Sequence, residues 1–121
     1  MIEMMTGLPD NVIGFTATGK VTAADYEDII VPAVEEALER HDKLRLLYHL
    51  GPEFDGYEAG ALWEDTKVGL SHLARWQRIA LVADIDWIRM AVKAFGFAMP
   101  GEVRVFHNAE LDAARAWLTE V

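Results

Sequence analysis

At 121 residues the chain has the length of one domain, enough to bury roughly two-thirds of the surface its unfolded form exposes. Twenty Asp and Glu against eleven Lys and Arg leave a net charge of −9, which repels phosphate backbones and anionic head groups, so nucleic acid is not an expected partner. The chain has no cysteine, which excludes thiol catalysis, disulfides and Cys-ligated metal centres. Although 52% of it is apolar, no run approaches the about 18 apolar residues of a membrane span.

The opening MIEMMTGLPD has an acid at Glu3, no basic lead and no small-residue cleavage pattern, so a secretory signal is not expected and a cytoplasmic location is the default. Ile2 to Thr6 and the β-branched, aromatic run Val12 to Thr18 flank the turn cluster Gly7, Pro9, Asp10 and Asn11, which predicts an antiparallel hairpin. Thr22 precedes Asp25 at capping-box spacing and starts a long helix. In that helix Tyr26, Ile29, Ile30, Ala33, Val34, Ala37 and Leu38 share one face, with Glu27, Glu35, Glu36, Glu39 and Arg40 opposite. Pro32 removes the hydrogen bond to the Asp28 carbonyl, which predicts a kink or break near Asp28 to Ile30.

Leu44 to Leu50 is a short apolar run closed by Gly51-Pro52 and reads as a strand buried on both faces. Gly51 to Tyr57 is the most irregular segment and is expected to be a loop. Helical spacing returns from Glu58 to about Leu73, Arg78 to Ala83 is a second central strand, and Asp86 to Phe97 a third helix stopped by Pro100-Gly101. Val103 to Phe106 is the last strand, and Asn108 caps a final helix through Ala113, Ala114, Trp117 and Leu118. The order β-β-α-β-α-β-α-β-α predicts one α/β domain over residues 1–121. Its five-stranded mixed sheet opens with an antiparallel hairpin, continues in parallel β-α units and is covered by about four helices.

Several stretches taken in order carry a family resemblance: Asp25-Tyr26 through Val31-Pro32-Ala33, Leu47-Tyr48, Phe54-Asp55-Gly56 leading into Ala61 to Asp65, Arg78 to Val82, Asp86-Trp87, and Ala114 to Leu118. Together they resemble the SpoIIAA-like family, related in fold to the STAS anti-sigma-factor antagonists and to lipid-carrying Sec14-type domains. The resemblance covers nearly the whole chain. Anti-sigma antagonists are switched by phosphorylation of a serine at the start of the helix after the third strand. Here Asp55-Gly56-Tyr57-Glu58 fill that slot and the only serine is Ser71, so the resemblance does not bring the switch with it.

Ligands of open α/β sheets gather beyond the carboxyl ends of the parallel strands. That edge collects Glu53, Asp55, Tyr57 and Glu58, then Asp84, Asp86 and Trp87, then His107 and Asn108. Carboxylates converging with an imidazole could bind a divalent cation or act as a general base. Asp86 and Asn108 are also placed as helix N-caps, and Glu58 stands at a helix start, so capping accounts for these three. No metal and no cofactor is assigned to it. Ser71 and His72 are sequential helix neighbours without a nucleophile elbow, and the four histidines lack metal-ligand spacing, so no catalytic residue is assigned.

The third helix is the most informative element. At about 100° per residue, Arg89, Lys93 and Gly96 share one sector, while apolar residues span roughly 220° of the rest; a sheet needs only about 100°. The surplus, chiefly Trp87, Met90 and Phe97, calls for a neighbouring helix, a partner chain or an apolar ligand beneath the helix. The chain therefore reads as a non-enzymatic binding or regulatory domain, expected to be a homodimer. Its working surfaces are this helix and the Glu53 to Glu58 segment, with Phe54 and Tyr57 as the apolar members of the latter. The alternative is a pocket for a small apolar or lipid-like ligand under the helix.

Overall fold

Thr22 opens the first helical run as expected. Its Oγ1 accepts the Asp25 N–H at 3.2 Å while the Asp25 carboxylate accepts the Thr22 N–H at 2.9 Å, so two backbone donors of the helix start are satisfied reciprocally. In the computed structural model, which describes residues 1–61, 67 and 73–120, α1 (Ala23–Asp25) passes into a π-helical stretch (Tyr26–Ile30) and then into α2 (Val31–Arg40). The Val31 N–H reaches back five residues to the Tyr26 carbonyl. The break expected from the missing Pro32 N–H is therefore taken up as one widened turn. Tyr26, Ile30, Val34 and Ala37 are buried along the inner face.

β1 (Ile2–Met4) pairs antiparallel with β2 (Val12–Val21), and β3 (Leu44–Tyr57), β4 (Trp76–Val82) and β5 (Glu102–Phe106) follow in parallel. The sheet order is β1-β2-β3-β4-β5. α3 (Asp86–Ala98) joins β4 to β5, and α4 (Leu111–Thr119) follows β5 after a 3₁₀ turn at Asn108–Glu110. Residues 59–61 and 67 are helical and Leu73 opens a 3₁₀ turn (Leu73–Arg75); the rest of the expected helix, with Ser71 and His72, lies outside the described residues. The mixed five-stranded sheet is as predicted.

Because the strand order never reverses, crossovers of one hand place the two described crossover helices on the same face. Phe15 and Ala17 of β2, Leu44, Tyr48 and Leu50 of β3 and Ile79 and Leu81 of β4 meet Tyr26, Ile30, Val34 and Ile88 there in the main core. Strand alternation sends Val12, Leu47, Ala80 and Val82 to the opposite face, where Ala114, Trp117 and Leu118 of α4 cover them, with Met5 and Leu8 packed alongside. β3 is thus buried on both faces over Leu44 to Leu50, as its short apolar run implied.

The Gly51 to Tyr57 segment differs from expectation. It is no loop: β3 runs on to Tyr57, with Phe54 opposite Gly19 and Tyr57 opposite Val21 after two register shifts. The last pairing of β3 with β4 is His49 with Val82. Beyond it β3 has a described neighbour on one side only, and Pro52 is tolerated because an edge strand need not donate on its open side.

Candidate functional site

At the carboxyl ends of β4 and β5, Asp84 and His107 come together, with the imidazole Nδ1 3.2 Å from Asp84 Oδ1. The same oxygen accepts the backbone N–H of Asn108 at 3.0 Å. That backbone hydrogen bond, helped by His107, holds the Asp84 carboxyl below its ordinary pKa. Both side chains are exposed. The remaining acids do not join them. Glu53 and Asp55 point out from the β3 extension, Glu58 donates its N–H to the Val21 carbonyl, and Asp86 sits exposed in the first turn of α3. Among the described residues no three His, Asp or Glu side chains are grouped to hold a metal ion.

Two capping assignments are corrected by this geometry. The N-cap of α3 is Ile85, with no side-chain cap, and Asp86 is the first helical residue. The N-cap of α4 is Glu110, again with no side-chain cap, rather than Asn108; His107 is the N-cap of the preceding 3₁₀ turn, and its backbone N–H donates to Glu110 Oε1 at 2.8 Å. The unreversed strand order also leaves this edge without the switch point at which neighbouring crossovers diverge and open a crevice.

His49 belongs to the second face of the sheet, half-buried between Thr16 and Val82. Burial lowers its pKa below the usual 6.5, and nearby Arg115 pushes the same way, against the Asn108 side chain. The unfolded chain therefore binds a proton on His49 at a pH where the folded chain does not. Stability should fall as pH drops below the ordinary histidine range, and replacing the ring should remove that part of the slope. His49→Gln is expected to flatten the melting-temperature profile between about pH 7 and pH 5. Parallel wild-type and variant profiles would show that His49 contributes nothing to it.

The same face carries a group that sequence reading missed. Arg45, only 8% exposed, donates to Gln77 Oε1 and to the Leu118 and Glu120 carbonyls, while Arg78 donates to the Trp117 carbonyl at 2.7 Å. These carbonyls belong to the end of α4, where helix geometry leaves acceptors unpaired and the dipole favours cations. The Arg78 and Arg104 guanidinium carbons lie 5.4 and 4.9 Å from the Trp117 ring centre. The signal was a basic residue on each of three neighbouring strands, Arg45, Arg78 and Arg104, within otherwise apolar runs. The cluster holds a helix in place.

On α3 the expected surplus is real and its polar sector was misjudged. Trp87, Met90 and Phe97 are 55%, 70% and 94% exposed, and Ala91, Ala94 and Ala98 continue the same outer stripe. Arg89, by contrast, turns toward the strand ends, donating through Nη1 to the Ala83 and Phe106 carbonyls at 2.7 Å each. Gly96 faces the sheet, where an added Cβ would lie 3.1 Å from Val103 Cβ. Phe54 and Tyr57 stack edge to face at 5.1 Å and pack half-buried against the main core.

A SpoIIAA-like family model matches residues 12–119, nearly the full length. The chain belongs to the SpoIIAA-like family. A crystal structure of an uncharacterized protein of the DUF3478 family from Shewanella loihica, described as having a SpoIIAA-like fold, superposes with a TM-score of 0.73 at 30% identity. The match covers 98% of this chain and 92% of that one. No curated protein matches. The SpoIIAA-like fold suggests a regulatory or binding domain, and no helix among the described residues is long and apolar enough to cross a membrane.

Proposed function

We propose that this SpoIIAA-like chain is a non-enzymatic binding or regulatory domain that pairs with a second copy of itself through the outer face of α3. The observation that carries the reading is the exposure of Trp87, Met90 and Phe97 on a helix whose inner face is already filled. Exposed aromatic and Met side chains in one stripe are the composition of an interface core, and two-fold pairing is the commonest way such a face is covered. Ile88 and Met99 are buried beneath the helix, with Val92 and Phe95 packed beside them. A small apolar or lipid-like ligand under α3 would have to displace those side chains, which favours a protein contact.

Burial of a Phe side chain contributes about 1.5–3 kcal/mol, and a symmetric contact uses it twice, so Phe97→Glu should weaken pairing at least about a hundredfold. Light scattering on the purified proteins should give a dimer mass for the wild type and a folded monomer for Phe97→Glu. Equal masses for the two would overturn the reading. Native mass spectrometry on the same wild-type sample reads the alternative directly, as a co-purifying small molecule.

A further inference from the structure

Beside α3 lies an edge of the sheet with no described strand on its outer side. β5 is the last strand, and the Ala83 N–H donates to the Phe106 carbonyl at 3.0 Å, which turns the backbone of Phe106 toward β4. By strand alternation the backbones of Glu102 and Arg104 turn the same way, and the N–H and C=O groups of Val103 and Val105 point outward. Among the described residues no hydrogen bond uses these outward groups. They make a short template for another strand, and such edges are ordinarily covered or blocked.

We propose that a second copy's β5 adds to this edge, antiparallel about a two-fold axis at Val103, so that one sheet runs through both subunits. The inference rests on the homodimer reading above and specifies how the two copies meet. Charge decides the register. An antiparallel two-fold pairing in which both strands offer hydrogen-bonding groups can centre on Val103, Arg104 or Val105. Centring on Arg104 sets Arg104 against its own copy, a like-charge pair that disfavours the arrangement. Centring on Val105 sets Arg104 opposite Phe106 and leaves Glu102 without a β5 partner. Centring on Val103 alone places Glu102 of each copy directly opposite Arg104 of the other, giving two identical ion pairs on one face. Glu102 and Arg104 are both exposed and so able to pair.

The same axis sets the two α3 helices side by side. It runs perpendicular to the sheet, so both α3 helices lie on one face, and Gly96 against Val103 shows α3 seated over β5. Neighbouring strands are about 4.8 Å apart and packed helices about 8–10 Å, so two helices seated near the edge strands come within packing distance. Met90 and Phe97 stand on the side of α3 turned away from the sheet, above this seam.

Charge reversal tests the register. Glu102→Arg and Arg104→Glu should each turn both ion pairs repulsive and weaken self-association about tenfold or more. In the first variant positions 102 and 104 are both basic, and in the second both are acidic. Mixing the two variants sets the basic pair of one copy opposite the acidic pair of the other, so the mixture should form heterodimers well beyond the statistical one-half when read by native mass spectrometry. A variant that merely failed to fold would show no such rescue. A wild-type dimer that is broken by Phe97→Glu, together with a statistical mixture of the charge variants, would overturn the β5 register while leaving the α3 contact standing. A wild type that is monomeric at every concentration would overturn both.

Discussion

Trp117→Ala should lower the unfolding free energy by about 3–5 kcal/mol, the range for removing a large aromatic side chain from a core. The ring is 5% exposed and is the largest side chain filling the second face of the sheet, where it packs with Val12, Leu47, Ala80 and Val82 and lies 6.2 Å from the Phe106 ring. It is also the surface on which Arg78 and Arg104 rest, so truncation removes two cation–π contacts along with the apolar volume. Because α4 is what closes that face, there is little neighbouring structure able to collapse into the space. Urea denaturation of the two proteins checks the result through a shift in midpoint at unchanged slope. Trp117→Phe, which keeps an apolar ring, should lose much less. A loss under about 1 kcal/mol for the alanine variant would mean that the second face is not a core at all.

Gly101→Ala is the second large effect, expected at about 3 kcal/mol, near the top of the usual range for overpacking. A Cβ at Gly101 would run into the Trp76 carbonyl oxygen and stand 2.6 Å from that of Gln77. Both obstacles are backbone atoms at the start of β4, so relief requires parting the β4–β5 ladder where it begins. Gly14 makes the useful comparison. There the nearest atoms are Leu8 Cδ1 at 2.6 Å and Met5 Sδ at 2.8 Å, the ends of flexible side chains that can move aside. Thermal melts of Gly101→Ala and Gly14→Ala should therefore differ, with Gly101→Ala the less stable. The reverse order would show that the β5 entry has more slack than its geometry implies.

What the sequence made legible followed from periodicity. The mostly apolar run at Leu44 to Leu50 announced a strand covered on both sides, and Pro32 announced the break that became a π turn. The excess of apolar positions on α3 announced the exposed stripe at Trp87, Met90 and Phe97. The errors came where the decisive partner is distant in the chain. Gly51-Pro52 looked like a terminator because nothing local says that β2 extends far enough to keep pairing with Phe54 and Tyr57. Arg45 and Arg89 looked like ordinary strand and helix charges, since the carbonyls they serve belong to α4 and to the ends of β4 and β5. Asp86 and Asn108 have the right chemistry for caps, but position alone did not tell whether a neighbouring residue would take the role. Of the polar strand-end set, the pairing of Asp84 with His107 was legible from topology, whereas the placement of Glu53 and Asp55 depended on where β3 stops.

The two ends of α3 are tied down differently from its middle. Arg89 fastens the first turn to the ends of β4 and β5, and the buried Met99 anchors the chain just after the last helical residue. In the proposed dimer, a helix held at both ends would meet its partner as a rigid ruler, with Trp87, Met90 and Phe97 already spaced. Little ordering entropy is then left to lose at encounter, so more of the apolar contact energy appears as affinity. By the same reasoning, loosening Arg89 would shorten the lifetime of the proposed dimer.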